Sequence, residues 1–309
     1  MFKTGIILAH TGTLLAIICA ILGSFAIQKV QMKVFEGGSE CLAGELTLEL
    51  RDFRAEFYDS GTPRHFASDI SVTAGDGSVV DGTVDVNRPL VADGWWIYQY
   101  GYDTGKGADS AFSEFLLVKD PWLTGVYSGM MLMLAGFWLL ALGRFRGKEL
   151  LSFGLLILAA VLVYFFFRKS LGARQLVPAL QSPWYAPHVV AYMFSFALLA
   201  VATVLAMFRE KMETADSLVY AGLAFFTTGM LLGAIWAKEA WGSYWTWDPK
   251  ETWSAVAWAV YVLYLYLRRF GPERRLIARI LLVIALILIQ ICWWGIDYLP
   301  AAMNSLHVY

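Results

Sequence analysis

Cysteine is scarce in this chain of 309 residues, which contains three: Cys19, Cys41 and Cys292. No two of them form a C-x-x-C pair, and Cys19 and Cys292 lie inside apolar runs. This scarcity argues against a disulfide framework and against a dithiol redox motif within the chain.

An excess of one charge is also absent. The formal net charge is −1, and the chain has no basic tail. Binding to nucleic acid needs a clustered Lys/Arg surface that contacts phosphates, so the sequence predicts no nucleic-acid partner. The chain also shows no Ser/His/Asp arrangement, phosphate-binding loop or metalloprotease spacing. We therefore look for a function that does not depend on these motifs.

Long hydrophobic segments are abundant. Hydrophobic residues make up 58% of the chain and fall in blocks, which are long enough to cross a bilayer at about 1.5 Å per residue. The pattern predicts an all-α polytopic membrane protein with about seven transmembrane helices. The runs cover residues 5–27, 122–143, 150–167, 187–208, 217–237, 253–268 and 276–297. A cleaved signal peptide is the alternative for the first run, but no clear small-residue cleavage site precedes Gln28.

Positive charges in the short connections predict the orientation of these helices. One set of alternate helix ends carries Lys3, Arg144, Arg146, Lys148, Arg209, Lys211, Arg268, Arg269, Arg274 and Arg275. This set is richer in Lys and Arg than the opposite set, so we expect it in the cytoplasm. The N-terminus then lies inside, whereas residues 28–121, residues 236–253 and the C-terminus lie outside.

Residues 28–121 are more polar and alternate in the manner of β-strands. Apolar residues recur at every second position from Leu46 to Leu50 and from Trp96 to Tyr100, and turn signals such as Gly75-Asp76-Gly77 separate such segments. The sequence therefore predicts one small extracytoplasmic β-domain between the first two helices. His65 falls in this domain, where an exposed surface histidine is the simplest interpretation.

The stretch from Trp236 to Trp253 places five tryptophans and several charges between two apolar runs. One or two tryptophans would suit an aromatic belt at the membrane interface. Five in eighteen residues, interleaved with Gly242, Asp248 and Pro249, favour a shaped aromatic surface instead. Flat rings with a few polar groups suit a large, flat, mostly apolar ligand, and a porphyrin is the most common such cofactor.

Residues 241–254 read Trp-Gly-Ser-Tyr-Trp-Thr-Trp-Asp-Pro-Lys-Glu-Thr-Trp-Ser. They resemble the tryptophan-rich WWD signature of haem-handling proteins of cytochrome c maturation, in the form found in the CcsA/ResC family of system II. Residues 1–143 resemble a shortened ResB/CcsB partner, so the chain is similar to a CcsBA-like fusion. We expect a ResB/CcsB-like part at 1–143 and a CcsA/ResC-like part with five helices at 144–309, whose external WWD loop covers about 236–253.

Besides His65, two of the four histidines lie on the predicted outer face, at helix ends near the tryptophans. His188 opens the fourth helix after a proline-rich loop, and His307 lies near the C-terminus. The segments around both resemble external histidine motifs of the family. One imidazole on each side of a porphyrin would give bis-histidine ligation of the iron. The alternative is that both are ordinary interfacial residues.

Other residues of the stretch are candidates for binding the rest of the porphyrin. Trp236, Trp241, Trp245 and Trp247 are the expected ring contacts. Asp248 would anchor a ring N–H or hold the loop. Charged donors suit the haem propionates, and the candidates for this pairing are Lys238, Lys250 and Arg174.

A second, inner site is suggested by His10, because an ionisable group inside an apolar run is costly and often functional. ResB-like partners carry a membrane histidine in an early helix, which His10 resembles. The family's usual Leu-His-x-Arg reads Leu265-Tyr266-Leu267-Arg268 here. The second iron ligand would then be the Tyr266 phenolate, a group from a partner subunit, or none. The alternative for His10 is an imidazole that hydrogen-bonds between helices.

The resemblance implies cytochrome c biogenesis at the bacterial cytoplasmic membrane. Haem b would be the transported substrate, exported and presented for thioether attachment to a C-x-x-C-H apocytochrome c. The chain would act as a holocytochrome-c synthase alone or with a separate ResB/CcsB-like subunit, and a thiol-reducing partner would serve the apocytochrome. Two alternatives stay open: a haem exporter or chaperone that delivers to a separate ligation complex, and a membrane electron carrier that keeps its haem.

Overall fold

The computed structural model describes residues 1–42, 44–172, 174–269 and 275–298, and most of these residues are helical. The α-helices among them are Phe2–Ala26 (α1), Leu123–Leu142 (α2), Lys148–Leu171 (α3), Tyr185–Ala206 (α4), Met212–Trp241 (α5), Pro249–Arg268 (α6) and Arg275–Gln290 (α7). Each predicted apolar run corresponds to one of these helices.

Six helical segments in the described part of the chain are long and apolar enough to cross a membrane. They are α1 to α4, the segment Arg209–Trp241 that contains α5, and Leu276–Gly295, which extends α7. The seventh predicted span is α6, which does not reach this hydropathy because Trp, Tyr, Ser and Thr occupy much of it. Its 20 residues would extend about 30 Å, and its crossing of the membrane stays a prediction.

The predicted β-domain is present between α1 and α2. Its strands are Gln28–Phe35 (β1), Ser39–Leu42 (β2), Leu46–Phe57 (β3), Pro63–Ala74 (β4), Val79–Asp85 (β5), Leu90–Ala92 (β6), Trp95–Tyr102 (β7) and Phe112–Lys119 (β8). They form two antiparallel sheets in the orders β1-β8-β7-β6 and β2-β3-β4-β5. Alternate residues of both sheets, including Leu48, Val72, Ile97 and Leu117, share one buried core. The sheets therefore pack face to face.

Small residues allow α1 and α2 to pack closely. A Cβ atom added to Gly12 would lie 2.6 Å from the carbonyl oxygen of Gly129, and one added to Gly5 would lie 3.0 Å from that of Gly136. Only glycine permits this approach of two backbones. The chain leaves α1 directly into β1 and enters α2 directly after β8, so the paired helices anchor both ends of the β-domain.

The other helices are arranged around α5, whose residues are buried along most of its length. Helices α2, α4 and α6 all pack against α5, α7 packs against α4 and α6, and α3 packs against α4. The end of α5 that carries the first tryptophans also contacts β7. The helix bundle and the β-domain therefore meet at the tryptophan-rich stretch.

Candidate functional site

Most of the tryptophan-rich stretch 236–253 is helical, although its composition predicted a loop. Helix α5 continues to Trp241 and ends at Gly242, whose φ of +73° suits glycine and whose N–H donates to the Lys238 carbonyl at 3.0 Å. Helix α6 begins at Pro249. Only residues 242–248 connect the two helices, so the predicted loop of 236–253 is too long at both ends.

Asp248 ends this connection as the N-cap of α6. Its buried carboxylate accepts the Lys250 N–H at 2.8 Å, and the Glu251 carboxylate accepts the N–H groups of Thr246 and Asp248 at 2.8 and 3.2 Å. Together with Pro249 in the first turn, these bonds form a capping box. Asp248 therefore caps α6 and holds the end of the loop, which is one of the two roles expected of it. Its other expected role, anchoring a ring N–H, stays a prediction. The Asp-Pro-Lys-Glu sequence carries the signal for this cap.

A cavity of about 280 Å³ lies between this loop, helices α4, α5 and α6, and the turn that follows α7. Most of its wall is aromatic or apolar, and a few polar groups converge on it. The lining residues are His188, Tyr192, Met230, Gly233, Ala234, Tyr244, Trp245, Lys250, Glu251, Ser254, Cys292, Trp293 and Trp294. This combination is typical of a small-molecule site.

His188 lies in the first turn of α4, and its ring is held from several sides. Nδ1 is 2.8 Å from the Gly229 carbonyl oxygen. Because a carbonyl only accepts, Nδ1 carries the hydrogen, and Nε2 is the basic nitrogen of the neutral ring. The ring also packs against Tyr192 and Trp236 at centroid distances of 4.9 and 5.8 Å. A Cβ at Gly233 would lie 2.7 Å from the imidazole, so this glycine makes room for it.

The four candidate tryptophans have different surroundings. Trp236 is buried, donates its indole N–H to the Ala179 carbonyl at 2.9 Å and packs on Trp241 at 5.2 Å. Trp245 lines the cavity. Trp247 is 72% exposed and meets Trp245 edge to face at 6.0 Å. Of the four, Trp245 lines the cavity that contains His188, and Trp236 supports the histidine ring.

The three basic candidates also differ. Lys250 lines the cavity, whereas Lys238 and Arg174 do not. Lys238 is buried, and its Nζ donates to the Gly242 carbonyl at 3.2 Å. The same ammonium lies 5.7 and 5.6 Å from the ring centroids of Trp96 and Tyr98 in β7. It therefore joins α5 to the β-domain and does not face the cavity.

Two further contacts connect the β-domain to the loop. Lys29 of β1 donates to the Ser243 hydroxyl at 2.7 Å. Gly242 lies so close to Tyr98 and Leu116 that a Cβ there would be 3.2 Å from each side chain. Burial in this contact raises the pKa of the Tyr98 phenol, which keeps it neutral. The start of the loop is thus packed on the sheet β1-β8-β7-β6.

Several cavity residues were not among the sequence candidates. Tyr192 lies one helical turn after His188, so helical periodicity alone could have identified it. Cys292, Trp293 and Trp294 belong to a π-helical turn, Ile291–Gly295, that follows α7. Cys292 Sγ contacts the Lys250 carbonyl at 3.3 Å. No sequence signal points to these three, because only the packing of α7 against α6 brings them to the cavity.

His10 and Tyr266 lie away from this cavity. His10 is exposed on α1, with Nδ1 2.8 Å from the Ile6 carbonyl of its own helix. Tyr266 is 58% exposed on α6. Helix α1 packs along α2, whereas α6 packs against α5 and α7. The inner site stays a prediction, and His307 lies outside the described residues.

Two family models match the chain. The model described as Cytochrome C assembly protein matches residues 123–303, and that of the ResB-like family matches residues 1–116. The cytochrome c biogenesis protein CcsA of Chlamydomonas reinhardtii is 35% identical over 152 residues, which cover 43% of each chain.

A second relative, CcsA of Parasynechococcus marenigrum (strain WH8102), is 34% identical over 180 residues, covering 43% of this chain and 58% of the relative. The chain thus spans about half the length of these curated relatives. Its apolar helices make it a multi-pass membrane protein. Because the assembly-protein match covers more than half of its residues, the chain belongs to the cytochrome C assembly protein family, with a ResB-like region in front, as in a CcsBA-like fusion.

Proposed function

We propose that this chain serves cytochrome c biogenesis by exporting haem and presenting it for thioether attachment to a C-x-x-C-H apocytochrome c. The observation that carries this proposal is the cavity where His188 meets the WWD segment. The Gly229 carbonyl fixes the imidazole tautomer, so that Nε2 is the nitrogen suited to bind iron. The names of the CcsA relatives, which refer to cytochrome c biogenesis, agree with this function.

The cavity suits one edge of a porphyrin. Its volume of about 280 Å³ is slightly below the 300–1,000 Å³ that is common for small-molecule pockets. Trp245 and Trp293 offer aromatic surface, and Lys250 offers a cation for a propionate. The remainder of the macrocycle would lie outside this volume, where the apocytochrome can reach it. His307 is proposed as the second axial ligand.

Attachment needs little chemistry from the protein itself. A cysteine S–H adds across a haem vinyl group: the S–C bond forms at the carbon next to the ring, and the thiol hydrogen ends on the terminal carbon. No electrons leave or enter the pair of reactants. The chain's residues would bind and orient the haem and exclude water, and such positioning is a large part of catalysis. In this role the chain is a holocytochrome-c synthase.

The proposed function also gives roles to the N-terminal part of the chain, to the membrane and to partner proteins. We assign α1, the β-domain and α2 to the ResB/CcsB-like part, 1–143, because the glycine contacts between α1 and α2 hold it together. The assembly-protein match already begins at residue 123, so α2 lies in the overlap between this assignment and that match. The bacterial cytoplasmic membrane is the proposed location, with the β-domain and the WWD segment outside. A separate ResB/CcsB-like subunit is the proposed source of the missing ligand for an inner site at His10, and a thiol reductant would supply reduced apocytochrome.

The direct test is coexpression of the chain with an apocytochrome c in a bacterial host that lacks its own maturation genes. We expect covalent haem on the apocytochrome, and we expect His188→Ala to abolish it. His65→Ala is the matched control, because His65 lies in the β-domain, is half-buried beside Asp85 and does not line the His188 cavity. Normal attachment by the His188→Ala, His307→Ala double variant would contradict the proposal.

The same experiment separates the alternatives. Haem that copurifies with the chain but is never attached, even with a ResB/CcsB-like subunit present, would favour an exporter or chaperone. Haem that stays bound in constant stoichiometry and is not transferred would favour an electron carrier.

A further inference from the structure

A second cavity, of about 550 Å³, lies at the opposite end of the bundle from His188. It is formed where α2 ends and where α3 and α5 begin, on the side that carries Arg144, Arg146 and Lys148. We call it the Arg144 cavity. Its inner wall is apolar and includes Phe153 and Leu198, which are both buried.

Arg144 is the cation of this cavity, and few of its donors are used. Nη2 reaches the Ser217 hydroxyl at 3.5 Å, the limit of a hydrogen bond, and the guanidinium lies 5.6 Å from the Tyr220 ring centroid. Nε is buried and has no hydrogen-bond partner among the described residues. A guanidinium has five N–H donors, so most of the donors of Arg144 are available to an anionic ligand in the cavity.

Two carboxylates line the same cavity at its exposed edge. Glu149 opens α3 and Glu213 opens α5, and both are exposed. Within the described residues, neither carboxylate comes within 4.0 Å of the Arg144 guanidinium. The cavity therefore presents one cation in its half-buried part and two anions at its edge.

We propose that the Arg144 cavity binds the headgroup of an aminophospholipid. The phosphate would contact the Arg144 guanidinium, and the primary ammonium would donate to Glu149 and Glu213. The first methylenes of the acyl chains would lie against Phe153 and Leu198. The cavity borders α3, whose outward residues such as Leu155 and Leu158 are exposed, so a lipid can enter from the side.

The charges and lining favour this occupant over others. Basic pockets between membrane helices bind dianionic lipids such as cardiolipin, but two carboxylates against one guanidinium disfavour a dianion. Haem is a dianion through its propionates, and no His, Cys, Met or Tyr lines the cavity to bind its iron. A choline headgroup has no N–H to donate to Glu149 and Glu213. A zwitterionic headgroup with a primary ammonium carries only one phosphate charge for Arg144 and also has N–H groups to donate to Glu149 and Glu213.

The test is native mass spectrometry of the full chain, purified in detergent, delipidated and titrated with phosphatidylethanolamine, phosphatidylcholine or phosphatidylglycerol of the same acyl composition. We expect phosphatidylethanolamine to bind about tenfold more tightly than either other lipid, a difference of about 1.4 kcal/mol. Equal binding of all three lipids would overturn the proposal.

Variants of the charged residues test which side chains are responsible for lipid affinity and headgroup selectivity. Arg144→Gln should weaken phosphatidylethanolamine binding about tenfold, and Arg146→Gln should not, because Arg146 is exposed and does not line the cavity. Glu149→Gln with Glu213→Gln should remove the preference for the ethanolamine headgroup and leave phosphatidylglycerol bound at least as well. The control for these two substitutions is Glu210→Gln, because Glu210 is exposed and does not line the cavity. If Arg144→Gln and Arg146→Gln bind lipid alike, or the double glutamine variant keeps the selectivity, the site does not exist.

Discussion

His188 and His10 both lie in apolar helices and were both predicted to bind haem iron, yet their surroundings differ. His188 is half-buried, hydrogen-bonds to Gly229 of a neighbouring helix and lines a cavity. His10 is exposed and contacts a carbonyl of its own helix. His188 is therefore the stronger candidate ligand of the two, because neighbouring helices leave space beside its ring and orient it.

The cause of this difference is visible in the packing of α1. Its face toward α2 contains Gly5, Ala9 and Gly12, which are all buried. His10 follows Ala9, and one residue corresponds to a rotation of about 100° around a helix. His10 is therefore turned away from α2. In α4, by contrast, Gly233 of α5 faces His188 and accommodates its ring.

The largest expected effect distinguishes these two histidines directly. His188→Ala should lower haem retained by the purified chain on the order of 100-fold, because an axial ligand is lost. His10→Ala should leave it nearly unchanged in the absence of a partner subunit, because His10 does not line the cavity. Haem per folded protein, measured by absorbance, is the readout. Imidazole added to His188→Ala should restore part of the signal, and a loss of haem in His10→Ala alone would break the comparison.

The next effect concerns the space beside His188. A Cβ at Gly233 would lie 2.7 Å from the imidazole, so Gly233→Ala should displace the ring from the Gly229 carbonyl and lower haem affinity about tenfold, as loss of an orienting contact does. Gly154→Ala on α3 is the matched control, because nothing lies within 4 Å of that position. An unchanged haem spectrum in Gly233→Ala would show that haem binding does not depend on the position of the His188 ring.

A smaller effect should separate two tryptophans of the same loop. Trp245 lines the cavity and Trp247 is mostly exposed. Trp245→Ala should weaken haem binding by about 1–3 kcal/mol through lost apolar and stacking contact. Trp247→Ala should weaken it less. Equal losses in the two variants would indicate that the porphyrin lies over the whole loop.

The smallest effect is expected at Tyr266. We expect Tyr266→His to leave the haem content of the chain alone unchanged, because α1 and α6 pack on different helices. With a separate ResB/CcsB-like subunit present, the same variant should retain additional haem with a low-spin bis-histidine spectrum that His10→Ala removes. Additional haem without the subunit would show that the chain forms the inner site by itself.

Local patterns predicted much of the fold. The apolar runs located every helix end to within about five residues except the end of α7, because the hydropathy of a membrane helix is set by its own residues. Helix α7 ends at Gln290, where a π-helical turn follows, whereas the run extends to residue 297. Alternation from Leu46 to Leu50 and from Trp96 to Tyr100 predicted strands for the same reason. The Asp248 cap could also have been predicted in full, since Asp-Pro-Lys-Glu contains every residue of the capping box.

The sequence by itself determined the helices, the β-domain, the family and His188 as a candidate. Only the tertiary structure decided that Trp236 supports His188, that Lys238 is buried against Trp96 and Tyr98, and that Trp293 reaches the cavity. The reason is physical: a side chain's type and period depend on its neighbours in the chain, whereas its burial depends on which distant helix or sheet packs against it.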